Sequence, residues 1–395
     1  MRLGRIARAA TLALALVGAG LGGGGAAAED LIVQKKTFEM PSFTTQGGRT
    51  IKNVKIGWES YGALNADRSN AILVTHFFSG TSHAAGKYAP GDKTPGYWDA
   101  IIGPGKAIDT NKFFVIASDT LVNLNTGDPK VVTTGPASID PDTGKPYGLN
   151  FPVVSFRDFV EVQKALVESL GISKLHAVAG ASMGALQAYE WAADYPDKVG
   201  RLMAVIGAAD SGAWGIAWLD VWASPIRVDP KWNNGDYYGK EPPTEGLKQA
   251  LKVVSLHANH WLWAEKTFGR AWAEEGKDPA AAIGNRYKIE QGLEQSATAR
   301  AAVSDANHFL YLVKANQLFM AAQGERLKAI KAPTLILYSP TDQVFDQSFV
   351  KATADIIRSG GAPVETGEIG GNFGHLNGVV AMAPLSDKVR GFMEK

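Results

Sequence analysis

The sequence predicts a doubly wound α/β fold with a helical segment inserted late in the core. Three observations carry this reading. Short, uninterrupted apolar runs recur along the chain, patterns of helical spacing separate them between residues 110 and 210, and residues 211–325 contain no such run. Uninterrupted runs, as opposed to alternation, mark strands covered on both faces, as in a parallel sheet. Strand, helix and strand in succession then signal a doubly wound core.

The elements follow in order. Residues 29–210 read as the first part of the core. Within them, about 30–62 read as antiparallel strands at one edge of the sheet. Buried strands are expected at Ala71–His76, Phe113–Ala117, Leu175–Ala179 and Leu202–Ile206, and a last one at Thr334–Tyr338 after the insertion. Each is short, aliphatic or β-branched, and followed by turn or polar residues. Phe156, Phe159, Val160, Leu166 and Leu170 fall near helical spacing, with Ser155 as N-cap. Residues 211–325 read as a helical cap over the carboxyl ends of the strands, where ligands bind in open α/β sheets. Seven of the ten tryptophans lie there: Trp214, Trp218, Trp222, Trp232, Trp261, Trp263 and Trp272. Lining a ligand site and packing a small helical subdomain account for them equally well. Residues 326–395 complete the core.

Composition narrows the function. The chain has 395 residues, enough for one α/β domain with an insertion or for two ordinary domains. Hydrophobic and charged residues, at 45% and 20%, are typical of a globular protein, and the formal net charge is +1. There is no basic stripe or tail, which excludes a nucleic-acid partner. Residues 1–28 read as a secretory signal peptide. Arg2, Arg5 and Arg8 precede a short apolar run, Thr11–Val17, and Ala26-Ala27-Ala28 offers a small-residue cleavage site. The run is short and rich in glycine for a membrane span. The expected location is periplasmic or secreted, with no membrane partner after cleavage. Removing the three arginines takes the net charge from +1 to −2. The chain has no Cys, so it has neither a disulfide nor a lipid-anchoring cysteine. Gly18 to Gly23 matches G-x-G-x-x-G, but within the leader, where no βαβ unit can form. No cofactor is expected.

Gly180-Ala181-Ser182-Met183-Gly184 is a G-x-S-x-G with an apolar strand before it and a helical pattern after it, from Met183 to about Tyr195. Strand, tight turn and helix make a nucleophile elbow, which lifts the serine hydroxyl above the sheet. A serine needs a base. The chain order in folds with this elbow is Ser, then Asp or Glu, then His. His375 is the one histidine beyond His308. Asp342, just after the strand Thr334–Tyr338, is the expected acid, with Asp346 as fallback and Glu365 and Glu368 behind it. An oxyanion hole needs two N–H donors; the backbone groups of Met183 and Phe78 are the best placed. His257 and His260, with His83 or His308, lack a further ligand at metal spacing. The loop Asp140-Pro141-Asp142-Thr143-Gly144 lacks the remaining ligands of a calcium site. No metal is expected.

With these residues placed, the chain resembles the homoserine O-acetyltransferase family of the α/β-hydrolase fold. The resemblance runs through Glu59-Ser60-Tyr61-Gly62-Ala63-Leu64-Asn65, Gly96-Tyr97-Trp98-Asp99, Ile102 to Ala107, Thr134 to Ser138 and Gly144 to Gly148. It continues through Gln187, Glu190-Trp191-Ala192, Tyr195-Pro196-Asp197, Asp229-Pro230, Trp232, Gly235-Asp236-Tyr237, Asp305-Ala306-Asn307 and Leu310-Tyr311-Leu312. It implies that Ser182, Asp342 and His375 are the family triad. Two positions depart from the family. Leu376 follows the catalytic histidine where the family usually has an Asp for the acceptor's amino group. Leu251 stands where the family carries an Arg for the acceptor's carboxylate. Each lost charge-assisted bond is worth about 1.5–3 kcal/mol. The reading is therefore an exported serine hydrolase acting on an ester or related small acyl substrate through an acyl-enzyme. An acyltransferase of the family type is one alternative. A non-catalytic module holding an apolar ligand under the cap is another. A homodimer stays open.

Overall fold

The computed structural model describes residues 31–210, 212–319 and 325–395, so the expected signal peptide lies outside the described residues. Eight strands form one sheet: β1 (Lys36–Thr44), β2 (Thr50–Tyr61), β3 (Ala71–Thr75), β4 (Phe114–Ser118), β5 (Ala177–Ala181), β6 (Leu202–Val205), β7 (Thr334–Tyr338) and β8 (Val364–Glu368). Their order across the sheet is β1-β2-β4-β3-β5-β6-β7-β8. The first two pairings, β1 with β2 and β2 with β4, are antiparallel, and the rest are parallel. This is the α/β-hydrolase architecture that the sequence predicts.

Every residue of β3, β5, β6 and β7 is buried. Successive side chains enter different layers, as the strand period of two requires. Leu73 joins a core with Ile116, Val178 and Ile336 on one face, while Ile72 and Val74 join a second with Val115, Ala179 and Leu337 on the other. Helix α1 (Phe156–Ser169) covers one face; the Asp158 carboxylate accepts from the Ser155 N–H and hydroxyl at 2.7 and 2.8 Å, a reciprocal cap. Helix α2 (Met183–Asp194) follows β5 and is buried along nearly its whole length.

Four of the five expected strands differ at an end: β4 runs Phe114–Ser118 where Phe113–Ala117 was expected, and β6 stops at Val205, one residue short of Ile206. The strand expected at Leu175–Ala179 begins at Ala177 and runs to Ala181; Leu175 makes only an isolated bridge to Val199. Gly180 and Ala181 pair in register with Ala204 and Val205, so cross-strand bonding, not apolarity, sets the end. His76, expected inside β3, lies just beyond it.

The insertion between β6 and β7 is helical: α3 (Gly212–Val228), α4 (Thr244–Ala258), α5 (Trp261–Thr267), α6 (Lys288–Ala301), α7 (Ala306–Gln317) and the short α8 (Glu325–Lys328). It contains no named strand among the described residues. Helix α7 is fastened to the core: His308 accepts from the Ala137 N–H at 3.1 Å and bonds the Asn123 carbonyl at 2.8 Å, and the Tyr311 hydroxyl donates to the Phe151 carbonyl at 2.6 Å. The tryptophans divide. Trp222 and Trp263 are buried, whereas Trp214, Trp261 and Trp272 are exposed. Helix α9 (Gln347–Ser359) then packs on β7 and β8.

Candidate active site

Ser182 sits between β5 and α2 with φ 55° and ψ −121°, a conformation that L residues rarely adopt. Two glycines make that turn possible. A Cβ at Gly184 would lie 2.1 Å from the Thr75 carbonyl oxygen, and one at Gly180 would lie 2.3 Å from both Gly184 O and Thr75 Oγ1. The Thr75 hydroxyl uses this contact to donate to the Gly184 carbonyl at 2.8 Å. The Ser182 N–H donates to the Val205 carbonyl at 2.8 Å. The elbow is thus pinned to strands on both sides.

His375 lies in a short 3-10 turn, Gly374–Leu376, after β8. Its Nε2 is 2.7 Å from Ser182 Oγ, and its Nδ1 is 2.7 Å from Asp342 Oδ2. All three side chains are buried. Asp342 Oδ1 accepts the Val344 and Phe345 N–H groups at 2.8 and 3.1 Å, which fixes the carboxylate plane. The structure therefore brings together the three residues that the sequence singled out. The other acids are occupied elsewhere. Asp346 caps α9 through Ser348, Glu368 accepts from Tyr338, and Glu365 pairs with Lys395.

Phe78 lies in the loop after β3 and Met183 opens α2, the two segments expected to supply the donors. Thr75 pairs with Gly180, so the loop after β3 runs beside the elbow. Met183 opens α2, whose first N–H groups have no partner within the helix. Neither the Phe78 nor the Met183 N–H meets an acceptor among the described residues. The loop itself is anchored. His76, buried, is pushed down to about 4 by desolvation and so is neutral; its Nδ1 lies 2.8 Å from the Phe77 carbonyl and its Nε2 3.2 Å from Asn123 Nδ2. Asn123 also donates to Gly80 O at 3.1 Å, and Gln187 donates to His76 O at 3.3 Å.

A buried polar cluster holds the rest of that loop. Asp119 accepts the Ser82 N–H at 2.7 Å. Glu59 pairs with Lys35 at 2.8 Å and His83 at 3.0 Å and accepts the Tyr88 hydroxyl at 2.6 Å. Burial alone would raise the Glu59 carboxyl, but the His83 and Lys35 contacts outweigh it and hold it below its usual value. Asp119, with less compensation, is pushed up by burial. This cluster was not legible in the sequence, nor was Asn377, which is fully buried and ties together the loops that carry Asp342 and His375: it accepts the Phe373 N–H at 3.2 Å and donates to Ser339 Oγ at 3.0 Å. No local pattern marks them, because the decisive partners are distant in sequence: Lys35 and His83 for Glu59, Ser82 for Asp119 and Ser339 for Asn377.

The histidines weighed as metal ligands are dispersed. His83 is on Glu59, His257 on Trp222 and Gln343, His260 caps α5, and His308 is on Asn123. Asp140 and Asp142 lie in a surface turn, where Asp142 pairs with Lys52. Among the described residues no group of three or more such side chains is placed to hold a metal ion.

A cavity partly open to solvent borders Ser182. Phe78, Trp218, Trp222, Phe319 and Phe345 form most of its wall, with Leu186, Leu219 and Val344. Among the described residues its lining holds no carboxylate, ammonium or guanidinium. Its one titratable ring beyond the triad, His257, is pushed down to about 4 by burial. Leu376 is half-buried beside His375, and Leu251 is fully buried in α4.

Residues 95–358 match the family model described as the alpha/beta hydrolase fold. The homoserine O-acetyltransferase of Methanococcoides burtonii is 37% identical over 84% of this chain and 68% of its own. The crystal structure of an esterase is 50% identical, covering 92% of this chain and all of that one, with a TM-score of 0.87. The homoserine O-acetyltransferase structure from Bacillus anthracis is 36% identical over 92% of this chain and 98% of that one, also with a TM-score of 0.87. The likeness spans core and insertion alike, and the chain belongs to the homoserine O-acetyltransferase-like family of α/β-hydrolase-fold enzymes, which transfer or hydrolyse acyl groups.

Proposed function

We propose that this chain is a serine esterase that forms an acyl-enzyme on Ser182 and releases it to water. Ser182 Oγ attacks the ester carbonyl as His375 Nε2 takes its proton. The Asp342 carboxylate holds the tautomer with the proton on Nδ1 and stabilises the imidazolium. The Phe78 and Met183 N–H groups receive the oxyanion. His375 then protonates the leaving alcohol, and a water attacks the acyl-enzyme by the reverse sequence. The observation that carries this reading is the uncharged cavity beside Ser182. With Leu376 next to the histidine, no residue described there offers an amino-acid zwitterion two charged partners. The esterase structure that shares half its residues with this chain supports the same reading.

Acyl transfer to an alcohol is the second reading, and the relatives named homoserine O-acetyltransferase favour it. The same acyl-enzyme serves both; only the acceptor differs. Incubation with a fluorophosphonate and with aryl esters, beside a Ser182→Ala control, tests the nucleophile. Labelling and turnover should both vanish in the control. Adding homoserine or simple alcohols then separates the acceptors, since diversion of the acyl group from water to the alcohol at millimolar concentrations would favour transfer. The leader pattern of residues 1–28 adds export to the proposal. A mature protein recovered outside the cytoplasm and starting near Glu29 is the expected result.

A further inference from the structure

One histidine of the cavity wall has no part in the chemistry above. His257 lies in the last turn of α4 and is 6% exposed. Its Nδ1 faces Trp222 Nε1 at 3.2 Å, and its Nε2 faces the Gln343 carbonyl at 3.1 Å. An indole N–H only donates and a carbonyl only accepts. The imidazole is therefore neutral, with its proton on Nε2, in agreement with its lowered pKa. The ring stacks on Trp218, with centroids 4.0 Å apart and planes at 17°. Trp218 and Trp222 belong to α3 of the cap, whereas Gln343 directly follows Asp342 in the core. Trp222 in turn meets Phe78 edge-on at 5.4 Å. One ring thus sets two tryptophans of the wall and ties them to the loop of the acid.

We propose that His257 is a positioning residue that sets acyl specificity, and that the pocket it shapes takes an uncharged aromatic or branched acyl group. The proposal rests on the acyl-enzyme reading. The leaving alcohol must receive its proton from His375 Nε2, so it leaves on the side of His375. His375 does not line the cavity. The cavity therefore receives the other substituent of the carbonyl, the acyl group. The rings of Phe78, Trp218, Trp222, Phe319 and Phe345 offer a flat or branched group faces and edges to pack on. An apolar ring at position 257 could fill the same space. It would leave Trp222 Nε1 and the Gln343 carbonyl without partners, so the wall would lose its fixed geometry.

The test varies the acyl group with one leaving group. The 4-nitrophenyl acetate, butanoate, 2-methylpropanoate and benzoate are compared as kcat/KM divided by the hydroxide-catalysed rate of each ester. The wild type should prefer the benzoate or 2-methylpropanoate to the acetate. His257→Phe keeps the ring and its stacking but removes both hydrogen bonds. It should keep fluorophosphonate labelling while this preference falls about tenfold. Trp222→Phe deletes the bond to His257 from the other side and should also lower the preference, with the double variant worse by less than the sum of the two, since the Trp222–His257 bond is common to both. Trp222→Phe also serves alone if His257→Phe does not fold. A labelled wild type that prefers the acetate overturns the substrate class. Folded variants that keep the full preference overturn the role of His257. A wild type that never labels overturns the acyl-enzyme reading itself, and the proposal with it.

Discussion

Replacing Asp342 by Asn tests the proposed triad through a proton position. Asp342 Oδ1 accepts two backbone N–H groups, from Val344 and Phe345, and Oδ2 faces His375 Nδ1. In the Asp342→Asn variant the amide oxygen keeps the two N–H groups, because turning the amide would set its NH₂ against them. Losing those two bonds in a buried site costs at least about 2 kcal/mol. The NH₂ then points at Nδ1 and demands an acceptor there. The histidine proton moves to Nε2, where it faces Ser182 and cannot be replaced by the serine's own. Population alone lowers the productive tautomer to a few per cent, and the lost charge no longer supports the imidazolium. The expected loss in kcat is about 10⁴-fold with aryl esters. The melting temperature should change little, since the amide is isosteric and both backbone donors stay satisfied. Asp346→Ala is the companion. It removes a helix cap at a cost of about 1 kcal/mol in stability and leaves kcat unchanged. A loss below about tenfold in Asp342→Asn, or a 10⁴-fold loss in Asp346→Ala, would refute the assignment.

Three further outcomes follow from the structure. Gly184→Ala should destabilise the fold by about 3 kcal/mol or more, because its Cβ would meet the Thr75 carbonyl at 2.1 Å. Helix propensity alone predicts a gain of about 1 kcal/mol, so the sign of the change in urea unfolding decides between them. Glu59→Ala leaves Lys35 and His83 facing a vacated, buried site and should cost about 3–5 kcal/mol, read as a lower melting temperature; a change under about 1 kcal/mol would show that the cluster does not hold the loop. Glu294 joins α6 to α4 through hydrogen bonds from Lys248 and Lys252, which lower its pKa from 4.5 to about 2. A lowered carboxyl pKa stabilises the fold above the unfolded value and loses that contribution as pH falls towards the folded one. The stability difference between wild type and Glu294→Gln should therefore narrow between about pH 5 and pH 3; a constant gap would sink the linkage argument.

The sequence by itself determined most of the sheet and the elbow that carries Ser182, because both are local statements. Residues 71–75 and 334–338 are strands because each is a short aliphatic run with no polar face to expose. Gly180, Ser182 and Gly184 specify the elbow because only glycine tolerates contacts of 2.1 to 2.3 Å at its flanks. Chain order and scarcity of histidine were enough to single out His375. Tertiary structure alone decided the rest. The sequence placed Asp342 ahead of Asp346, but only the closed chain shows that Asp342 faces the imidazole while Asp346 caps a helix. The extent of β5 depended on pairing with β6, whose partner residues lie 24 positions away. The buried cluster around Glu59, the Asn377 tie and the His257 clamp join residues from separate elements. Their energetics come from desolvation and from donor and acceptor geometry, which exist only once the chain has closed around them.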